Sequence, residues 1–312
     1  MKSPLLAAAL LLTGGALAQT PALKSGAHSP KTAPAPVERS EGPTAVLHLS
    51  AVLTPSDSSP VRGGVVWRIF EETPGDDGAR KLVAETRDAT PAQALPDGIY
   101  IVHAAFGLAG ATRRVVIEGG NVRERLALNA GALKLVDMLG DTAIPAQRLS
   151  ISIYVPERGN SEAKLILANA KAGEVLCLPE GAYHIVSTLL DTTQGSQGDN
   201  NATNSVVTAD LRVSAGKLIE ATLRHRAATM TLKLVNQPGG EALANTSFSV
   251  LTPGGDVIRE LIGAFPSLVL AEGEYVAIAR HDGKTYQETF RVQSTQDREV
   301  EIATSAPPPD AP

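Results

Sequence analysis

The stretch Leu95-Pro96-Asp97-Gly98-Ile99-Tyr100 decides the fold, because similar stretches recur as Leu178-Pro179-Glu180-Gly181-Ala182-Tyr183 and Leu270-Ala271-Glu272-Gly273-Glu274-Tyr275. In the first two copies, a proline, an acidic residue and a glycine follow one another, which is typical of a type I turn. An apolar alternation begins directly afterwards. We therefore interpret each copy, named the marker below, as a turn that leads into a β-strand.

The three markers divide the chain into repeating units. The marker glycines Gly98, Gly181 and Gly273 are separated by 83 and 92 residues. Each unit opens with an apolar alternation, such as the segment 230–235, and closes with two alternating segments after the marker. Because strand side chains point alternately to two faces, this period of two predicts half-buried strands. Six or seven short strands in roughly 80 to 90 residues are typical of a β-sandwich.

A tyrosine follows each marker glycine by two residues, at Tyr100, Tyr183 and Tyr275. An amphipathic ring at the entrance of a strand can bury its face while its hydroxyl bonds to the upstream backbone. We therefore predict a structural role for the marker glycines and tyrosines.

The composition limits the classes of protein to which the chain can belong. With 312 residues, 43% hydrophobic residues and 20% charged residues, it is long and apolar enough for more than one globular domain. The net charge of −5 comes without a basic stripe, so we expect no nucleic acid partner. Cys177 is the only cysteine, which excludes an intramolecular disulfide and a cysteine-based metal site. We expect a buried, inert thiol there.

The two ends differ in composition from the repeats. Residues 1–18 have a positive start, an apolar run and a small-residue cleavage pattern, which together predict a secretory signal peptide. Residues 19–44 are predicted to be a Pro/Ala-rich linker, and residues 305–312 a Pro-rich tail. No later segment approaches the roughly 20 apolar residues of a membrane helix, so we do not expect a membrane-spanning chain. We expect a periplasmic protein, with an extracellular or cell-surface location as the alternative.

The domain boundaries follow from the repeats. We predict β-sandwich 1 at residues 45–129, β-sandwich 2 at 130–227 with a polar insertion at 191–204, and β-sandwich 3 at 228–304. Glycine-rich or polar connections before the last strand of each unit predict hairpins at Gly119-Gly120-Asn121, Ala215-Gly216-Lys217 and Thr295-Gln296-Asp297. Within residues 163–172 a helix competes with a strand over residues 164–167.

The order of opening strand, turn, marker and closing strands resembles carboxypeptidase regulatory-like domains, which are transthyretin-like sandwiches, and the B-type repeats of bacterial surface proteins. The resemblance covers residues 45–304 in three copies. It implies an all-β fold of three tandem Ig-like or transthyretin-like β-sandwich domains with an accessory or stalk role and no catalysis. B-type repeats can carry a Lys–Asn isopeptide bond, and Lys134 and Lys233 lie in opening strands, but no matching asparagine stands out.

The insertion of the second unit is the first place to look for a ligand site. It offers several oxygen-bearing side chains of the kind that calcium prefers: Asp191, Asp199, Asn200, Asn201 and Asn204. The Asp-x-Asp-x-Asp-Gly spacing of a dedicated calcium loop is absent. A polar connecting loop and a ligand loop are therefore both open interpretations.

No pattern in the chain nominates a catalytic residue, a cofactor site or a metal site. A Gly-x-Ser-x-Gly elbow, a phosphate-binding loop, a dinucleotide fingerprint and metal-binding histidine spacings are all absent. We expect a non-catalytic exported envelope protein that binds or scaffolds a protein or a cell-wall glycan. The alternatives are a carbohydrate- or peptidoglycan-binding protein that uses the 191–204 loop, and an accessory subunit of a secretion or surface complex.

Overall fold

A computed structural model describes residues 44–156, 163–193 and 202–305. The described residues form 22 β-strands and one short 3-10 helix at Ala146–Arg148. The predicted signal peptide, nearly all of the predicted linker and tail, and residues 194–201 of the insertion lie outside the described residues. No helix in the described part is long and apolar enough to cross a membrane.

Sandwich 1 contains seven strands in two sheets. Their bounds are β1 Thr44–Val52, β2 Val65–Pro74, β3 Arg80–Thr86, β4 Ala92–Pro96, β5 Gly98–Phe106, β6 Ala109–Ile117 and β7 Val122–Ala127. One sheet has the order β4-β1-β7 and the other has the order β3-β2-β5-β6.

Sandwich 2 repeats this arrangement with one additional two-residue strand. Its strands are β8 Ala130–Leu139, β9 Thr142–Ala143, β10 Leu149–Val155, β11 Lys164–Ala170, β12 Val175–Pro179, β13 Gly181–Leu190, β14 Ala202–Val213 and β15 Leu218–His225. The sheets have the orders β12-β8-β15, with β9 paired to β8, and β11-β10-β13-β14.

Sandwich 3 has the same two-sheet order as sandwich 1. Its strands are β16 Ala227–Val235, β17 Ser247–Leu251, β18 Val257–Ile262, β19 Ser267–Ala271, β20 Gly273–His281, β21 Lys284–Val292 and β22 Arg298–Ala303. The sheets have the orders β19-β16-β22 and β18-β17-β20-β21. The predicted fold class, all-β with three tandem sandwiches, is confirmed.

Each sandwich has its own apolar core between its two sheets. The period-two pattern puts alternate residues inside, as in β13, where Tyr183, Ile185 and Leu189 are buried. Trp67 in sandwich 1 and Phe248 in sandwich 3 are at most 1% exposed. Because burial of one large apolar side chain is worth about 1.5 to 3 kcal/mol, these cores supply the main stabilisation in a chain without disulfides.

The marker is the corner at which the chain passes from one sheet to the other. In sandwich 1, β4 pairs with β1 in the first sheet, whereas β5 pairs with β2 and β6 in the second. Only Asp97 separates β4 from β5, and Glu180 and Glu272 take this place in the other sandwiches. The interpretation of the marker as a type I turn is therefore corrected to a one-residue corner, preceded by a strand that was not predicted.

The last strand of each sandwich pairs in parallel with the first. Leu47 of β1 lies opposite Val122 of β7, and the same parallel pairing joins β8 to β15 and β16 to β22. The three predicted hairpins before these strands are wrong, because β6, β14 and β21 pair with the strands after the markers instead. The connections cross between sheets. The competing helix at 163–172 is also ruled out, because Lys164–Ala170 is strand β11.

Candidate functional site

The described residues of the predicted ligand loop lie at the junction between sandwiches 2 and 3. Asp191 directly follows β13 and Asn204 lies in β14. Asp199, Asn200 and Asn201 lie outside the described residues, so their proposed ligand role stays a prediction. Among the described residues, no group of three or more His, Cys, Asp or Glu side chains could hold a metal ion.

The carboxylate of Asp191 joins sandwich 2 to sandwich 3. The residue is 1% exposed. Its Oδ1 accepts hydrogen bonds from the backbone N–H and the hydroxyl of Thr193, at 2.9 and 2.7 Å. Its Oδ2 accepts a hydrogen bond from the backbone N–H of Val269 in β19, at 3.1 Å. Because a buried carboxylate is very unfavourable without donors, these contacts fix Asp191 against the neighbouring sandwich.

The other end of the insertion holds the same strand of sandwich 3. Asn204 Oδ1 accepts a hydrogen bond from the backbone N–H of Ala271 at 2.8 Å, and its Nδ2 donates to the hydroxyl of Tyr275 at 2.7 Å. The Thr193 hydroxyl also lies 2.8 Å from the carbonyl oxygen of Ser267. We name these three side chains the clasp: Asp191, Thr193 and Asn204.

An ion pair supplements the clasp. Arg226 Nε and Nη2 donate to the two carboxylate oxygens of Glu272 at 2.8 and 2.9 Å. The hydrogen bonds from Arg226 hold the pKa of Glu272 below its usual value. The backbone N–H of Glu272 also donates to the carbonyl oxygen of Arg226, as that of Glu180 does to Asn129 at the first junction. The acidic residue of the marker therefore anchors the connection that leads into its own sandwich.

A cleft of about 580 Å³ opens beside the clasp. Arg224 of β15 and Arg226, which directly follows β15, line it together with Thr208 and Glu272. Arg224 Nη1 donates to the carbonyl oxygen of Gly140 at 3.1 Å. Both guanidinium groups already have hydrogen-bond partners within the protein. The cleft by itself therefore does not indicate a ligand.

The marker tyrosines lie at the same point of the three sandwiches. The hydroxyls of Tyr100, Tyr183 and Tyr275 donate to the carbonyl oxygen four residues earlier, at 3.0, 2.7 and 2.8 Å. Each ring covers its marker glycine, with its nearest ring atom 3.6 to 3.8 Å from the place that a Cβ would take. Burial raises the pKa of all three hydroxyls, so they act as neutral donors.

Four polar side chains that sequence reasoning missed meet in the core of sandwich 2. Ser187 Oγ donates to Asp137 Oδ1 at 2.6 Å and lies 3.2 Å from His225 Nε2. His225 Nε2 is also 3.4 Å from Asp137 Oδ1, and Ser205 Oγ lies 3.0 Å from His225 Nδ1. We name these four side chains the buried network: Asp137, Ser187, Ser205 and His225.

The buried network contains the residue types of a hydrolase triad in a closed arrangement. The side chains of Asp137 and His225 are 0% exposed. Ser187 and Asp137 both approach Nε2 of the imidazole, whereas a triad separates nucleophile and carboxylate on the two nitrogens. Ser205 lies on the other nitrogen, Nδ1, but it is buried like Ser187, so neither hydroxyl is presented to a substrate. The sequence did contain a signal, because Asp137 and Ser187 occupy inward positions of the period-two pattern.

The junction between sandwiches 1 and 2 is made by the backbone. The N–H of Leu108 donates to the carbonyl oxygen of Cys177 at 2.9 Å. Gly107 has a φ of 61°, and a Cβ there would lie 2.8 Å from Cys177. A side chain at Gly107 would therefore force the two sandwiches apart. Partial burial raises the pKa of the Cys177 thiol, which keeps it in the less reactive form.

The lysines considered for isopeptide bonds form ion pairs with glutamates. Lys134 Nζ lies 3.2 Å from Glu220 on the neighbouring closing strand. Lys233 Nζ lies 2.9 Å from both Glu299 and Glu301.

The third sandwich matches a known family of repeats. A family model described as the Rhizobiales growth-associated tandem repeat domain matches residues 229–304. No curated protein matches the chain.

Among solved structures, the Bacillus anthracis TIE protein is 16% identical over 83% of this chain, with a TM-score of 0.24. The chain spans 50% of the length of that protein. A minor pilin of Streptococcus agalactiae is 15% identical and covers 58% of this chain and 95% of its own, with a TM-score of 0.28. A streptococcal ancillary pilin is 12% identical and covers 83% of this chain and 98% of its own, with a TM-score of 0.30.

Proposed function

We propose that this chain is a non-catalytic, exported scaffold of the bacterial envelope, in which three sandwiches of the carboxypeptidase regulatory-like type bind a protein or cell-wall glycan partner. The observation that carries the proposal is the clasp, which fastens sandwich 3 to sandwich 2 through a buried carboxylate and an amide. If the sandwiches only had to be connected, a flexible linker without contacts between them would be enough. Hydrogen-bonded junctions favour a task in which the spacing of neighbouring modules matters.

The family match of the third sandwich supports a task in cell growth. The description of that family is growth-associated, and the match covers residues 229–304. We therefore propose that the partner belongs to the part of the envelope that is being extended.

The location and domain boundaries are part of the same proposal. Residues 1–18 support export, and we propose the periplasm as the location, with the cell surface or the extracellular space as the alternative. We propose residues 45–129, 130–227 and 228–304 as the three domains.

The proposal of a non-catalytic role is supported by the closure of the buried network. A catalytic histidine has to reach the substrate, and the side chain of His225 is 0% exposed. An enzyme would require a turnover that a single substitution at His225 or Asp137 abolishes.

Capture of the partner from fractionated cells tests the proposal. The full chain with an affinity tag is cross-linked in growing cells and recovered from the envelope fraction. The matched control carries the same tag behind residues 1–44 alone. We expect the full chain, and not the control, to retain an envelope protein in a fixed molar ratio to itself, or to sediment with cell-wall glycan. Recovery of the chain from the cytoplasm, or equal capture by the control, would contradict the proposal.

The two alternatives give different outcomes in the same experiment. Glycan capture that is lost when residues 194–201 are replaced by a short Gly-Ser linker would support carbohydrate binding through the loop. Recovery of a membrane assembly would support an accessory subunit of a secretion or surface complex.

A further inference from the structure

The buried network occupies positions that sandwich 1 fills with apolar side chains. The strand registers align the two sandwiches, because Leu47 pairs with Val122 as Leu133 pairs with Ile219. Counted from these pairs and from the marker tyrosines, the counterparts are Ala51 for Asp137, Ala104 for Ser187, Ala109 for Ser205 and Leu128 for His225. All four counterparts are at most 3% exposed. The fold can therefore be built without these polar groups.

The stability of the core does not require polar side chains at these positions. Oδ2 of Asp137 is buried and has no hydrogen-bond partner among the described residues. Replacement of buried ionic or polar groups by well-packed apolar side chains is often neutral or stabilising. In sandwich 3, the fully buried Leu234 and Ala279 take the places of Asp137 and Ser187. The network therefore needs an explanation that applies to sandwich 2 alone.

The network links the two sheets of sandwich 2 next to the clasp. Asp137 and His225 belong to the sheet β12-β8-β15, whereas Ser187 and Ser205 belong to the sheet β11-β10-β13-β14. Ser205 directly follows Asn204 of the clasp. His225 directly precedes Arg226, which binds Glu272 of sandwich 3.

The two junctions also differ in whether polar side chains take part. Sandwich 1, with an apolar core, is joined to sandwich 2 through backbone groups, whereas sandwich 2, with the buried network, is joined to sandwich 3 through polar side chains. At the first junction, where the counterparts are apolar, the backbone of Leu108 binds Cys177 directly. At the second junction, Val269 occupies the place of Cys177, and a different backbone group is used: the N–H of Val269 donates to the side chain of Asp191. A junction made by side chains requires that the strands carrying those side chains be held in position.

We propose that the buried network is a positioning device for the junction between sandwiches 2 and 3. The contact between Ser205 and His225 holds β14 to β15, and thereby places Asn204 and Arg226 where they reach β19 and Glu272. This proposal goes beyond the scaffold function, because it assigns to an internal side-chain cluster the control of how tightly two sandwiches are joined.

Amide hydrogen exchange of the full chain, followed residue by residue by NMR, tests the proposal. The variant carries the residues of sandwich 1, namely Asp137→Ala, Ser187→Ala, Ser205→Ala and His225→Leu. We expect exchange of the Val269 and Ala271 amides, which donate to the clasp, to accelerate about fivefold, the factor that corresponds to the loss of one hydrogen bond of about 1 kcal/mol. The Ile185 amide inside sandwich 2 and the Val250 amide inside sandwich 3 serve as reporters, and we expect them to keep their protection.

A second variant and a control keep the test decisive if the fourfold variant does not fold. Ser205→Ala removes one hydroxyl of the network, and we expect a smaller acceleration at Val269 and Ala271 in the same direction. Thr222→Ala, on the outer face of β15, is the matched control and should change neither amide.

Two outcomes would overturn the proposal. Unchanged exchange at Val269 and Ala271 would mean that the network only fills the core of sandwich 2. Equal acceleration at these amides and at Ile185 would mean that it only stabilises that sandwich. Both outcomes would leave the scaffold function standing, because partner capture tests that function separately.

Discussion

The hydroxyl group of Tyr275 contributes to two sandwiches at once. It donates to the carbonyl oxygen of Ala271 within its own sandwich and accepts a hydrogen bond from Asn204 of the neighbouring sandwich. Tyr100 and Tyr183 make the first of these contacts. The three repeats therefore provide an internal comparison in which one tyrosine has an additional task.

We predict that Tyr275→Phe lowers the free energy of unfolding by about 2 kcal/mol and that Tyr183→Phe lowers it by about 1 kcal/mol. The loss of stability is larger for Tyr275→Phe because this substitution removes two hydrogen bonds and leaves the side-chain amide of Asn204 without its acceptor. Urea unfolding of the full chain measures both values, and Tyr100→Phe is a second reference. An equal decrease in the free energy of unfolding for all three substitutions would contradict the hydrogen bond between Asn204 and Tyr275 across the junction.

The ion pair between Arg226 and Glu272 predicts a loss of junction stability in acid. Because the pKa of Glu272 is lowered in the folded protein, the contribution of the pair is present above the ordinary carboxyl pKa of 4.5. It is lost as the pH falls through the lower, folded pKa. We expect Arg226→Gln to move the titration of Glu272, followed by its side-chain carbon signal, towards higher pH. Arg226→Lys should restore only part of the shift, since lysine cannot donate two parallel hydrogen bonds. An unchanged titration in Arg226→Gln would contradict the ion pair.

Some of these residue roles could be predicted from the sequence and others could not. The common spacing of Gly98 and Tyr100 in three copies predicted a shared structural position. The backbone donors that bind Asp191 and Asn204 could not be predicted, because Val269 and Ala271 lie 78 and 67 residues away along the chain. Oxygen-bearing side chains suggested a ligand loop, which stays a prediction; the described side chains Asp191 and Asn204 accept hydrogen bonds from backbone N–H groups.

At the scale of the element, the insertion between β13 and β14 acts through its two ends. The strands pair from Gly181 with Val213 up to Leu190 with Ala202. Asp191 and Thr193 of the clasp lie immediately beyond this pairing, whereas Asn204 lies within β14, close to its irregular end. The ends of the insertion are therefore part of the junction, whatever residues 194–201 bind.

We predict that Asp191→Ala lowers the free energy of unfolding by about 2 kcal/mol, since it removes hydrogen bonds to a buried charged acceptor. The matched control is Asp210→Ala in the same hairpin. Asp210 binds His184, but its side chain is 85% exposed, so we expect a change within about 0.5 kcal/mol. Urea unfolding measures both variants. If the two variants cost the same, the clasp does not stabilise the junction.

The elements themselves were predictable where a local pattern specifies them. Alternation predicted the strands after the markers and the two closing strands of each unit. It could not predict that β7 pairs in parallel with β1, because local alternation does not identify the partner of a strand. The three connections were consequently assigned as hairpins, although they cross between sheets.

At the scale of the whole molecule, the repeats explain why sandwiches in one chain can be joined in two ways. The first junction depends on Gly107, whose backbone allows close approach to Cys177. The second depends on the clasp and on the Arg226–Glu272 pair. Repetition and fold class were evident from the sequence. The difference between the junctions depends on contacts between sandwiches and could not be foreseen from either repeat alone.

The central claim is that the junctions hold the sandwiches together as one body. Backbone ¹⁵N relaxation of the full chain measures this most directly, because it reports how each sandwich tumbles in solution. We predict that strand amides of all three sandwiches fit one common rotational diffusion tensor. Separate and shorter correlation times for the individual sandwiches would contradict the claim.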